Sequence, residues 1–176
     1  MKSVQLVNDD FKGHVDTVRF ACRGIAVQDG CVLLSHETAD DRWLIPGGGM
    51  ADGETPKECC EREMLEETGF VCRAGNNYLD IEELFDVWRH TNHYFECEVV
   101  SESGEMNLTE REAAAGCTKE WVPIDRALEL FGEYERYRST DIALYGLYRR
   151  EYTALRAFAE CKNLNETGCR EKFSVS

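Results

Sequence analysis

Two apolar runs near the start of the chain flank an Asp-Gly pair: Arg19 to Gln28, rich in small and β-branched residues, and Cys31-Val32-Leu33-Leu34 after Asp29-Gly30. This pattern predicts a β-hairpin, because a two-residue type I′ turn needs positive φ at both central positions. A polar loop, Glu37 to Asp41, leads into Trp43-Leu44-Ile45, and Pro46-Gly47-Gly48-Gly49 is expected to break any regular element. A helix should follow. Thr55 is its N-cap, Pro56 its first residue, Glu58 completes a Thr-x-x-Glu capping box, and Gly69 stops it after Thr68. Ile81 to Trp88 and Asn92 to Val100 read as strands, residues 101–117 as a polar loop, and Glu120-Trp121-Val122 as a short strand. Asp125 to Phe131 and Asp141 to Cys161 read as helices. A strand-rich part, a helix, a second strand-rich part and further helices predict an α/β fold with a mixed sheet between helices. Residues 1–162 are expected to form one domain, and 163–176 a polar, mobile tail.

The last helix carries Ile142, Tyr145, Tyr148, Tyr152, Leu155 and Ala159 at spacings of three and four, which is one face. A face against the core is the first reading, and a homodimer interface, where tyrosine is favoured, the competing one.

Composition narrows the class. Hydrophobic residues are 43% and charged residues 31% of the 176, as in a soluble globular protein. Acidic residues outnumber basic ones 34 to 20, a net charge of −14 that argues against a nucleic-acid partner. Met1 to Gly13 holds one short apolar run (Val4, Leu6, Val7) before Asn8-Asp9-Asp10, too little for a secretory segment, and no stretch is long enough to span a membrane. The nine cysteines include no C-x-x-C pair and are expected to be reduced thiols in the cytoplasm, several of them filling the core.

The chemistry concentrates on the helix after the glycine run. At 100° per residue, with Glu63 at zero, Glu66 falls at about −60° and Glu67 at about +40°, so three carboxylates share one face. Glu58 and Glu61 fall elsewhere and read as ordinary solvated helix formers. Glu63 and Glu67 form a like-charge i,i+4 pair that costs an isolated helix roughly 0.2–0.5 kcal/mol. A hard divalent cation removes that repulsion. Arg62 lies four residues before Glu66, and Glu54 immediately precedes the N-cap.

From Gly48 to Phe70 the segment reads Gly48, Glu54, Arg62-Glu63-Met64, Glu66-Glu67 and Gly69-Phe70 at the spacing G-x5-E-x7-R-E-U-x-E-E-x-G-U, with U bulky and apolar. It resembles a complete Nudix box, and the flanking pattern is similar to the Nudix α/β/α sandwich. The resemblance implies hydrolysis of a diphosphate linkage in a nucleoside diphosphate derivative or nucleoside triphosphate, with Mg²⁺ or Mn²⁺ and attack of water at phosphorus. It implies that Glu63, Glu66, Glu67 and the backbone carbonyl of Gly47 bind metal, and that Arg62 and Glu54 orient the carboxylates. For the general base it offers Glu63 or a glutamate on a later loop, where Glu110 and Glu112 stand and Glu112 is preferred. The rival reading is a Nudix-fold protein that binds a nucleotide without turnover, and the intact box weighs against it.

His90 and His93, at strand spacing, should point to opposite faces and not share a metal, leaving His93 as a candidate phosphate or substrate contact. Cys60 falls beside Met64 on the apolar side. Cys59 lies nearer the glutamates but lacks an activating base. Phe85, Trp88, Tyr94 and Trp121 are candidates for stacking on a base and equally for sheet core. The identity of the substrate is not written in the box.

Overall fold

The computed structural model describes residues 2–162, and the polar segment 163–176 lies outside the described residues. The chain runs β1 (Lys2–Val7), β2 (Thr17–Gln28), β3 (Cys31–Glu37), β4 (Arg42–Leu44), β5 (Gly47–Gly49), α1 (Pro56–Thr68), β6 (Phe70–Phe85), β7 (Trp88–Glu102), α2 (Glu110–Ala114), β8 (Cys117–Pro123), α3 (Ile124–Gly132), a 3₁₀ turn (Glu133–Tyr137) and α4 (Ile142–Lys162). The Asp29-Gly30 turn has positive φ at both residues, 49° and 79°, and pairs Gln28 with Cys31 as the sequence pattern requires.

Hydrogen-bonded neighbours follow the order β1-β6-β7-β2-β3-β4, with β5 added to β2 and β8 to β3. The pairs β1/β6 and β2/β7 are parallel and the others antiparallel, so the sheet is mixed. Alternate residues serve opposite faces. Ala26 and Phe95 pack with Cys59, Cys60 and Met64 of α1. Their sequence neighbours Ile25 and Tyr94 pack with Phe131 of α3 and with Tyr148 and Leu155 of α4. The result is the expected α/β/α sandwich.

Four expectations need correction. The strand expected over 81–88 is interrupted: Asp86 has φ 45° and Phe85 pairs with Trp88, so a tight hairpin turn falls at Asp86-Val87. Apolar Val87 disguised it. The same hairpin begins far earlier than expected, at Phe70, because register shifts between Val71/Cys72 and from Ala74 to Leu79 break the alternation. Gly47–Gly49 forms a strand paired with Ala21–Arg23 instead of a break. A Cβ on Gly47, at φ 147°, would overlap the Cys22 carbonyl, so only glycine permits this close pairing. The segment 101–117, expected as loop, contains α2, opened by a second capping box of Thr109 and Glu112. β1 also forms a strand, drawing its parallel partner from residues 79–84.

On α4, Tyr145, Tyr148, Leu155 and Ala159 are buried, and Ile142 and Tyr152 half-buried. That face is occupied within the chain, so the competing dimer reading does not hold for it. Cys22, Cys59, Cys60, Cys72 and Cys97 fill the core beside α1, and these five together with Cys117 and Cys161 carry free thiols. Among the described residues no helix is long and apolar enough to cross a membrane.

Candidate active site

α1 delivers its carboxylates from a fixed platform. Thr55 Oγ1 accepts from the Glu58 N–H at 3.3 Å while the Glu58 carboxylate accepts from the Thr55 N–H at 2.9 Å. At the other end Gly69, at φ 68°, donates to the Leu65 carbonyl. The apolar side, with Cys60 and Met64, is sealed against the sheet, so Glu63, Glu66 and Glu67 face the β5 glycines.

Arg62 ties these parts together. Its Nη1 donates to Glu63 at 2.7 Å and to Glu66 at 2.8 Å, its Nε and Nη2 donate to Glu54 at 2.8 and 3.0 Å, and Nη2 also reaches the Gly49 carbonyl at 3.1 Å. A planar guanidinium can serve several acceptors at once, which a lysine cannot. The Arg62 bonds and the Ala51 N–H hold the Glu54 carboxyl down to about 2, against the pull of partial burial.

Glu67 is the least compensated of the three. Its Oε2 accepts from Ser35 Oγ at 3.0 Å and from the Gly47 N–H at 3.1 Å, both neutral donors. Burial pushes its carboxyl up to about 7, against Arg23, Gly47 and Ser35, which favour the charged form. Burial also raises Glu63, with Glu66 and Glu112 adding repulsion and Arg62 opposing. The Glu63 carboxylate lies so close over Gly48 that a Cβ there would collide with it.

The far wall comes from elements that the motif does not include. A cleft of about 470 Å³ is lined by the three glutamates together with Arg19, Arg23 and His90 of the sheet and Arg111 and Glu112 of α2. Glu112 faces the cleft while its carboxylate caps Thr109 N–H at 2.9 Å, whereas exposed Glu110 is not part of the lining. Arg111 Nη1 donates to buried Glu37 at 3.1 Å. Arg23 is buried; it donates to the Ile45 and Gly47 carbonyls at 3.0 and 3.3 Å and to Asn92 at 3.1 Å. Sequence reading passed over Arg19, Arg23, Ser35 and Arg111. The hairpin pattern alone could have flagged Arg23, a lone charge inside an apolar strand.

The two histidines diverge as expected. His90 lines this cleft, and His93 lines a neighbouring groove, where it bonds Asp80 at 2.8 Å and stacks loosely on Phe20. Tyr94 is wholly buried, Trp121 packs edge-on against Phe70, and Phe85 and Trp88 stack on each other. Burial raises the Cys72 and Cys117 thiols to about 12, so neither is poised as a thiolate.

Hard oxygen donors are what a divalent cation of the magnesium type takes. Glu63, Glu66, Glu67 and the Gly47 carbonyl are oxygen donors of that kind, and the burial that disfavours charge at Glu67 would be relieved by a cation beside it. Among the described residues no three acidic, histidine or cysteine side chains already gather as a ligand cluster. Arg62 bridges Glu63 and Glu66, and a cation would have to draw them from it.

A family model described as NUDIX domain matches residues 17–141. Diphosphoinositol polyphosphate phosphohydrolase 3-alpha of Mus musculus is 29% identical over 103 residues, 58% of this chain and 60% of that protein. The chain thus spans about three fifths of the length of such relatives. The solved NUDIX hydrolase from Nitrosomonas europaea superposes with a TM-score of 0.60 at 17% identity, over 91% of this chain and 98% of its own. The E. coli ORF135 protein gives 0.59 at 18% identity, over 86% and 95%.

Proposed function

The chain belongs to the Nudix family, and from that premise we propose that it hydrolyses a diphosphate linkage in a nucleoside diphosphate derivative or nucleoside triphosphate, with Mg²⁺ or Mn²⁺ as cofactor and water as nucleophile. The observation that carries this reading is the convergence of Glu63, Glu66 and Glu67 on one cleft whose walls also carry Arg19, Arg23 and Arg111. Carboxylates suit a cation, arginines suit phosphate oxygens, and a diphosphate with its counter-ion needs both.

Glu63, Glu66, Glu67 and the Gly47 carbonyl would hold the metal. When bound, it supplies charge neutralisation at the diphosphate and acidifies a water. The remaining work belongs to the chain. Arg62 and Glu54 fix the carboxylate directions. Arg19 and Arg111 face the cleft and can bind phosphate oxygens. Glu112 accepts the proton of the attacking water, with Glu63 the alternative base. Buried Arg23 keeps the Ile45–Gly47 backbone in place from behind.

The protein is read as a cytoplasmic enzyme of small nucleotide-like substrates, with no nucleic-acid or membrane partner, a reading supported by its acidic charge and the free thiols of Cys22, Cys59, Cys60, Cys72 and Cys97. A homodimer would have to form through a surface other than the tyrosine face of α4. The test is phosphate release from a panel of nucleoside triphosphates, nucleoside diphosphate derivatives and a diphosphoinositol polyphosphate, with Mg²⁺, with Mn²⁺ and with neither. Metal-dependent release from a nucleotide is expected. Metal-independent release, or tight nucleotide binding without turnover, would overturn it.

A further inference from the structure

A second, smaller cavity of about 230 Å³ lies between α4 and the sheet, with Asn8, Asp10, Glu83, Phe85, His90 and Arg150 among its walls. Asn8 and Asp10 precede the residues matched by the family model and Arg150 follows them.

Four polar atoms on these walls, Asn8 Oδ1, Asp10 Oδ1, His90 Nε2 and Arg150 Nε, are buried without a hydrogen-bond partner. Asn8, His90 and Arg150 are each more than nine-tenths buried. An unsatisfied buried polar group costs about 1–3 kcal/mol. Four around one space mark it as a place for a polar occupant. A glycine inside a helix is also costly, by about 1 kcal/mol against alanine. Gly146 of α4 is such a glycine, and a Cβ there would strike the Asn8 amide.

The walls specify the occupant. Asn8 Oδ1 and Asp10 Oδ1 can only accept, and Arg150 Nε can only donate. Phe85, Ile142 and Leu147 add apolar surface that a cluster of waters would leave unused. His90 belongs to this cavity and to the catalytic cleft alike. Behind it Arg150 donates to Glu83 at 3.0 Å, Asn92 donates to Glu83 at 3.1 Å, and Arg23 donates to Asn92, so one buried network borders both spaces.

We infer that this cavity receives the organic half of the substrate as a flat ring with an N–H donor beside a carbonyl acceptor, the lactam edge of an oxo-purine or a uracil-type base. Asp10 accepts from the ring N–H, Asn8 accepts from a second N–H where the base has one, as the exocyclic amino group of guanine does, and Arg150 donates to the carbonyl. The carboxylates of Asp10 and Glu83 disfavour a ring covered in phosphates. The role as a substrate subsite rests on the hydrolase reading above; the binding chemistry does not.

The test needs no turnover. Guanosine and uridine are titrated into the full chain beside 1-methylguanosine and 3-methyluridine, with binding read by calorimetry and by the His90 ring resonances. At least one parent nucleoside should bind and shift His90, with its N-methyl partner at least about tenfold weaker. Asp10→Ala should weaken that binding about tenfold, the loss of one charge-assisted hydrogen bond, and Gly146→Ala should weaken it about fivefold by displacing the neutral Asn8 amide. Gly146→Ala should still fold, since the added methyl meets only the movable end of Asn8. Absence of a His90 shift with either nucleoside, equal binding of methylated and parent forms, or unchanged affinity in both variants would overturn the inference. Lactam-dependent binding without hydrolysis of any diphosphate would sink the hydrolase reading and leave this site standing.

Discussion

The backbone N–H of Gly47 donates to the Glu67 carboxylate at 3.1 Å, joining the β5 strand to the last turn of α1. Ser35 Oγ donates to the same oxygen. Both donors are neutral, and an amide oxygen can accept from both. Glu67→Gln should therefore fold with a melting temperature within a few degrees of wild type. With its negative charge gone, metal-dependent turnover should fall by at least about 100-fold. Melting curves and steady-state rates on the same preparation check this. Unchanged turnover would remove Glu67 from the metal set.

Arg62 contacts Glu54, Glu63, Glu66 and the Gly49 carbonyl through one planar group. Arg62→Lys keeps the charge and loses the fork. The expected result is a 10–100-fold loss in kcat/KM, the usual scale for residues that orient metal ligands. The Mg²⁺ concentration giving half-maximal rate should rise in parallel, a shift that mere loss of stability would not produce. An unaltered metal dependence would reduce Arg62 to a structural role.

His90 makes stability sensitive to acid. Burial, with Arg150, Arg23 and Arg19 nearby, pushes its pKa down to about 2 from 6.5. Glu83 is 4.0 Å away, but it is already engaged by Arg150 and Asn92. An unfolded chain takes up a proton at this histidine as pH falls below 6.5, and the folded chain does not. The stabilising contribution is thus present above pH 6.5 and drains away as pH falls toward 2, by up to about 1.4 kcal/mol per pH unit. Denaturant unfolding of wild type and His90→Gln between pH 8 and 4 should show the shallower acid slope in the variant. Parallel slopes would contradict this.

The box helix was legible because its signals are local. Thr55, Pro56, Glu58 and Gly69 fix its ends within a few residues, and the 3.6-residue period sorts Glu63, Glu66 and Glu67 from Glu58 and Glu61. What stayed hidden depends on partners distant in sequence. β1 becomes a strand only against residues 79–84, and the β5 glycines pair only because β2 lies alongside. Arg19 and Arg23 acquire a role when β2 folds beside β5 and α1, which no window around either residue contains. α2 was missed for a different reason: Thr109 and Glu112 spell a capping box, but the helix has five residues and buries none of them, so no periodic apolar face announced it.

Glu112 tests the proposed proton acceptor. Its carboxylate caps the Thr109 N–H at 2.9 Å, and glutamine serves equally at that capping-box position. Glu112→Gln should leave α2 and the melting temperature intact. If Glu112 accepts the water's proton, kcat should drop by about 100-fold or more with little change in KM, and the acidic limb of the pH–rate profile should disappear. A mild effect on rate, with that limb retained, would transfer the role to Glu63.

Metal removal gives the most direct check on the cluster as a whole. A ligand that binds only the folded state stabilises it by about 2.7 kcal/mol at a hundredfold excess over its Kd. For a chain of this size that corresponds to a rise of roughly 5–10 °C in Tm. Mg²⁺ or Mn²⁺ added to chelator-treated protein should produce such a rise together with activity, and excess chelator should reverse both. Glu67→Gln should blunt the shift, because its amide no longer neutralises a cation, and Glu110→Gln should not, because exposed Glu110 lies outside the cleft lining. A full thermal shift in Glu67→Gln would place the ion elsewhere on the protein. Activity surviving complete chelation would exclude the metal-assisted route itself.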